Sequence, residues 1–188
     1  MQSPESILKQ YWHYDRFRPF QKEIIDSILK GKDTVALLPT GGGKSVCYQI
    51  PALARDGFTL VISPLIALMQ DQVARLKEHD IPAASIHAGM HFMDVKRTLS
   101  NMLHGPAKLL YVSPERLQSK LFLEYLPEFN INLIAVDEAH CVSQWGHNFR
   151  PDYLKMASLR NVFHEIPMLD LKASATKEMQ EILILMLT

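Results

Sequence analysis

The chain has 188 residues, 47% hydrophobic and 21% charged, a length that suits one domain with a full core and is short for two. Its 20 basic residues balance 20 acidic ones, so overall charge selects no polyanionic partner, and any nucleic acid must be held by a local groove. No apolar run approaches bilayer-spanning length, the start Met1-Gln2-Ser3-Pro4-Glu5 lacks the pattern of an export signal, and two cysteines, Cys47 and Cys141, cannot build a four-cysteine zinc site; a reducing compartment is expected.

Residues 6–30 read as two helices, with Pro19 expected in the first turn of the second and Gly31 after its end. Gln21 then falls near the start of that helix, and Ile24, Ile25, Ile28 and Leu29 form its core face. Residues 34–38 predict a buried strand, followed by Pro39-Thr40-Gly41-Gly42-Gly43-Lys44-Ser45 and a helix opening at Val46. The continuous apolar run at 58–63 predicts a strand buried on both faces, and Pro64 opens a helix over 65–78. A short strand at 83–86, a helix at 92–103, and strands at 108–113 and 132–136 follow. A helix at 151–163, a strand at 168–171 and an amphipathic helix at 177–187 close the chain. Strands alternating with helices at this spacing predict an α/β domain with a mainly parallel sheet and helices on both faces, spanning residues 1–188 as one unit.

In such sheets ligands collect beyond the carboxyl ends of the strands. The glycine loop, Ser63-Pro64, Ser113-Pro114 and Asp137-Glu138 all come directly after an apolar strand, so four separate segments point to one edge. Three successive glycines allow backbone angles barred to other residues. The N–H groups of Thr40, Gly41, Gly42 and Gly43 can then turn inward and, with the positive helix N-terminus, hold a polyphosphate. Lys44 is placed to neutralise the β- and γ-phosphates and the Ser45 hydroxyl to ligate Mg²⁺. The first glycine of the general phosphate-loop pattern falls at position 38, which is Leu. Alone, such a loop also reads as a turn before a surface helix. The strand-end acids supply the other half of a site: Asp137 is expected to hold the metal, Glu138 to act as general base, and His140 to bond the γ-phosphate side. His87 and His91 lack a third ligand and are not assigned to metal.

These residues resemble the RecQ DNA helicases of superfamily 2, specifically their first RecA-like motor domain. The most specific stretch runs from Asp137-Glu138-Ala139-His140 through Gln144-Trp145-Gly146-His147-Asn148-Phe149-Arg150-Pro151, joining a DEAH box to an aromatic-rich loop. The resemblance implies ATP and Mg²⁺ as cofactors, with Gln21 reading the adenine edge and Tyr14 and Arg18 flanking the ring. It also implies that residues 63–72 and 113–117 track single-strand phosphates. Three positions depart from the family pattern: His13 stands where glycine is usual, Asp170 where a small apolar residue is usual, and Lys172 where the Thr-Ala-Thr-Ala-Thr motif begins. Ser174 and Thr176 keep the hydroxyls of that motif, which links nucleotide state to DNA.

Trp145, His147, Phe149 and Arg150 combine ring faces with a cation; bases stack on aromatics whatever their sequence, at roughly 1–3 kcal/mol per base, and arginine adds phosphate attraction. The loop is therefore expected to grip single-stranded DNA and report its presence to Glu138 and His140. By resemblance, the chain is the ATP-binding half of a motor that moves 3′ to 5′ on single-stranded DNA in repair and recombination. The resemblance places it in the bacterial cytoplasm with the nucleoid, or in a eukaryotic nucleus. It implies that the second RecA-like domain, with its arginine finger, and the zinc-binding and winged-helix modules lie outside these residues. Two further readings are an ATP- or DNA-binding module with negligible turnover, and an RNA helicase domain.

Overall fold

The computed structural model describes residues 2–39, 41–137 and 163–172. Helix α1 (Pro4–Trp12) begins where Ser3 caps the Ser6 N–H at 3.2 Å and Pro4 takes the first turn, and it ends at His13, whose left-handed backbone returns its N–H to the Lys9 carbonyl. Helix α2 (Gln21–Leu29) starts later than expected. Pro19 lies outside it, in a turn that Phe20 completes at φ +69°, so the proline ends the preceding segment rather than opening the helix. Gln21, Ile24, Ile25 and Ile28 are its buried face.

The remaining elements follow as β1 (Thr34–Leu37), α3 (Val46–Ala54), β2 (Phe58–Ile62), α4 (Ile66–Glu78), β3 (Ala83–Ile86), α5 (Phe92–His104), β4 (Leu109–Val112), α6 (Pro114–Leu117), α7 (Lys120–Tyr125), a 3₁₀ turn (Leu126–Glu128), β5 (Ile131–Val136) and β6 (Met168–Lys172). Among the described residues the strands form one sheet in the order β1-β6-β5-β2-β4-β3, every neighbouring pair parallel. The α/β expectation holds. The expected helices at 151–163 and 177–187 lie outside the described residues, apart from Phe163.

Alternate strand residues face opposite sides. Val61, Tyr111, Leu133 and Ala135 pack under Ile28 of α2, Tyr48 of α3 and Met69 of α4. Leu60, Leu110, Ile134 and Val136 pack under Leu99 of α5, Phe122 of α7 and Phe129. The sheet is thus covered on both faces, and each fully buried aliphatic or aromatic side chain contributes about 1.5–3 kcal/mol. A third cluster, Ile7, Leu8, Ile25 and Ile50, fastens α1 to α2 and α3. Cys47 belongs to this core; burial pushes its thiol up to about 12, so it stays protonated at neutral pH. No helix among the described residues is long and apolar enough to cross a membrane.

The two edges of the sheet differ in chemistry. At the amino edge, Arg55 donates to the Ile28, Leu29 and Asn132 carbonyls, and Lys108 Nζ donates to the Arg55 carbonyl at 3.0 Å. These cations cap the end of α2 and close the strand starts. At the carboxyl edge the polar residues remain gathered around open space.

Candidate nucleotide site

The carboxyl edge is built by a staircase of backbone bonds that continues past the strands. Leu38 N–H donates to Lys172 O at 3.0 Å, Asp137 N–H to Ile62 O at 2.9 Å, Ser63 N–H to Val112 O at 3.2 Å, and Ser113 N–H to Ile86 O at 3.1 Å. The segments singled out from sequence are therefore brought to one edge. Leu38 explains its own departure from the glycine pattern: it extends the pairing of β1 by one residue and buries its side chain in the core, so the turn begins after it.

The glycine loop is held from below by α2. Gln21, 3% exposed, accepts the Arg18 N–H on Oε1 at 2.8 Å and donates from Nε2 to the Gly43 carbonyl at 2.9 Å. A donor on one side and an acceptor on the other fix which end of the amide is oxygen. Oε1 keeps a lone pair, and the second Nε2 hydrogen has only a long contact, 3.5 Å, to the Gly42 carbonyl, one a base could replace; the side chain can then present an acceptor and a donor side by side. That pattern matches the N6–H and N7 of adenine. Gly43 has φ +75°, and a Cβ there would stand 2.4 Å from Gln21 Nε2, so the clasp needs glycine twice over. Gly41 also sits at positive φ, and its carbonyl accepts from the Arg18 guanidinium. Arg18 thus reaches the loop itself while lining the same cavity as Gln21. The Gly42 N–H also differs from expectation: it donates to Pro39 O at 2.9 Å and closes the turn instead of pointing inward.

Above the loop lies a cavity of about 550 Å³. Gly41, Gly43, Lys44 and Ser45 of the loop line it together with Tyr14, Arg18, Gln21 and Asp137. Tyr14 is 56% exposed and stands on the rim. Asp137 is 6% exposed and accepts from the Tyr48 hydroxyl at 3.4 Å. Glu138, His140, Thr40, Trp145, His147, Phe149, Arg150, Ser174 and Thr176 lie outside the described residues.

The cavity also has walls that the sequence reading did not assign. Gln72, Arg75, Leu76 and His79 face it from α4, and Arg16 joins them from the loop after α1. Their spacing of three, four and seven along one helix is the signal that marks a common face. Gln72 accepts from Gln49 Nε2 at 3.0 Å beside the cavity. His79 packs on Trp12 with ring centroids 5.7 Å apart, tying α4 to α1. On the far side of the sheet edge, Arg116 donates to the His87, Ala88 and Met90 carbonyls, holding the loop between β3 and α5.

A profile of DEAD/DEAH box helicases matches residues 18–183. The chain belongs to the DEAD/DEAH box helicase family. Within it, the chain is 47% identical to a probable ATP-dependent DNA helicase RecS of Bacillus subtilis, over 93% of this chain and 35% of that protein. It is 42% identical to an ATP-dependent DNA helicase RecQ of Pasteurella multocida, over 93% of this chain and 28% of that protein. The chain therefore spans about a third of the length of these helicases. The DUF1998 helicase MrfA bound to DNA superposes over 96% of this chain and 28% of its own with a TM-score of 0.79 at 20% identity, a likeness of fold. A hypothetical ATP-dependent RNA helicase from Sulfolobus tokodaii superposes with a TM-score of 0.73, also at 20% identity. The parallel sheet covered on both faces is the RecA-like α/β fold of this helicase family.

Proposed function

We propose that this family member is the ATP-binding half of a RecQ-type DNA helicase, using Mg²⁺ and ATP to drive 3′-to-5′ movement on single-stranded DNA in repair and recombination. One observation carries the reading: the oriented Gln21 amide, the glycine loop, Lys44, Ser45 and Asp137 all border one cavity at the carboxyl edge of a parallel sheet. The donor set fits the cofactors. An amide with an acceptor beside a donor suits adenine, a lysine and a helix N-terminus suit phosphates, and a hydroxyl and a carboxylate lining the same cavity suit a hard cation that prefers oxygen ligands. When bound, Mg·ATP supplies the scissile phosphoryl bond and a cation to balance developing charge.

Gln21 reads the base, with Tyr14 at the rim. Lys44 neutralises the β- and γ-phosphates, and Ser45 and Asp137 hold Mg²⁺. Glu138, next along the chain from Asp137, takes the proton from the attacking water, and His140 senses the γ-phosphate side. Trp145, His147, Phe149 and Arg150 engage single-stranded DNA, with Ser174 and Thr176 coupling nucleotide state to it. The arginine finger comes from a second RecA-like domain; its absence lowers phosphoryl-transfer rates by roughly 10³–10⁵. Hydrolysis by these 188 residues alone is accordingly slow, and the soluble, DNA-acting role fits bacterial cytoplasm or a eukaryotic nucleus.

The test is Mg²⁺-dependent ATP hydrolysis by this chain with and without single-stranded DNA, Glu138→Gln serving as the blank. Slow turnover above the blank, raised by DNA, is the expected result. Turnover equal to the blank with ATP still bound would leave a binding module, and stimulation by single-stranded RNA but not DNA would reassign the substrate.

A further inference from the structure

The hydroxyl of Tyr48 has no place in the reading so far. Tyr48 lies one turn into α3, three residues after Ser45, and is fully buried beneath the sheet edge. A phenylalanine would fill the same core volume. A buried phenol instead needs a partner for its O–H, and here that partner is Asp137 Oδ2 at 3.4 Å. Behind it, the equally buried Tyr111 of β4 places its hydroxyl 3.4 Å from that of Tyr48, the rings meeting edge-on at 6.3 Å. Next to Tyr48 along α3, Gln49 Nε2 donates to Gln72 of α4 at 3.0 Å.

The direction of this chain of bonds is determined by its end. An ionised carboxylate only accepts, so Tyr48 must donate to Asp137. Its single proton is then spent, and its oxygen can only receive the proton of Tyr111. Burial holds both phenols protonated, Tyr111 up to about 12 and Tyr48 well above its ordinary value, so neither hydroxyl loses its proton in the working pH range.

We propose that Tyr48 is a positioning residue for Asp137, and that Tyr111 and Tyr48 form a one-directional relay that orients this carboxylate toward the cation site. The proposal rests on the assignment of Asp137 to Mg²⁺. Partners one step behind a metal ligand typically alter metal affinity by about 10–100-fold. The contacts here are long for O–H···O bonds, which places the effect at the lower end of that range.

The experiment titrates Mg²⁺ into this chain with a fluorescent, non-hydrolysable ATP analogue, and measures analogue affinity in EDTA separately. Tyr48→Phe should raise the Mg²⁺ concentration for half-saturation about tenfold, while the affinity in EDTA stays within about twofold. Tyr111→Phe should shift it in the same direction by less, and decides the matter on the same readout if Tyr48→Phe does not fold. Mg²⁺ half-saturation unchanged in these variants, or a loss of affinity equal with and without Mg²⁺, overturns the relay. Asp137→Asn separates the two levels: Mg²⁺ dependence lost in it but intact in both tyrosine variants sinks the relay alone, whereas dependence intact in Asp137→Asn sinks the metal assignment beneath it.

Discussion

Two buried aspartates sit at the carboxyl edge of the same sheet, and they are accommodated by different physics. Asp137, after β5, is met by a neutral hydroxyl that belongs to a chain of neutral groups. Asp170, on β6, is met by a full charge: Lys172 Nζ stands 3.2 Å from its Oδ2, on the same face of the strand. The Lys172 side chain is 0% exposed and that of Asp170 12%. Asp170 Oδ1 is buried and has no hydrogen-bond partner among the described residues. Burial pushes the Asp170 carboxyl above its ordinary range and the Lys172 ammonium pulls it back only in part. A buried ion pair neutralises itself and has little to offer a ligand. Two of the three positions that depart from the RecQ pattern, Asp170 and Lys172, thus pair with one another.

The contrast is sharpest where a partner is removed. Lys172→Ala leaves the buried Asp170 without its ammonium, and Asp170→Ala breaks the same pair; each should lower unfolding free energy by about 3–5 kcal/mol in urea titrations. The double change Asp170→Leu with Lys172→Met should restore stability to within about 1 kcal/mol of the parent, or exceed it, because paired desolvation disappears with both charges. Single variants that cost less than about 1 kcal/mol would mean that the pair is not the buried charge couple described. At the neutral relay the effect is smaller: Tyr111→Phe removes one donor to Tyr48 and should cost about 0.5–1.5 kcal/mol in the same assay. A larger loss than at Asp170 would reverse the comparison.

Much of this architecture was legible in the sequence because parallel strands buried on both faces leave continuous apolar runs. The run at 83–86 has the bounds of β3, and 58–63 overshoots β2 by one residue, the buried Ser63. Helices α6 and α7 were not legible, since four and six residues complete too few turns to show a period. Pro19 misled because proline suits both a first helical turn and the turn before it; the left-handed Phe20 decides between them only in three dimensions. His13 shows the converse, a position where the family's glycine is explained by φ +60°. In the site, Lys44, Ser45 and Asp137 could be placed from motif spacing alone. The hold of Gln21 on Gly43, the α4 wall of the cavity and the tyrosine relay could not, because each joins residues distant in sequence through packing that no local pattern encodes.

The most direct test of the account is a titration of Mg·ATP into this chain and into its Lys44→Ala variant by calorimetry. Saturable binding at one site in the parent, weakened at least tenfold without Lys44, is the predicted result. No binding by the folded parent, or equal binding by both, would contradict the assignment of the cavity to ATP.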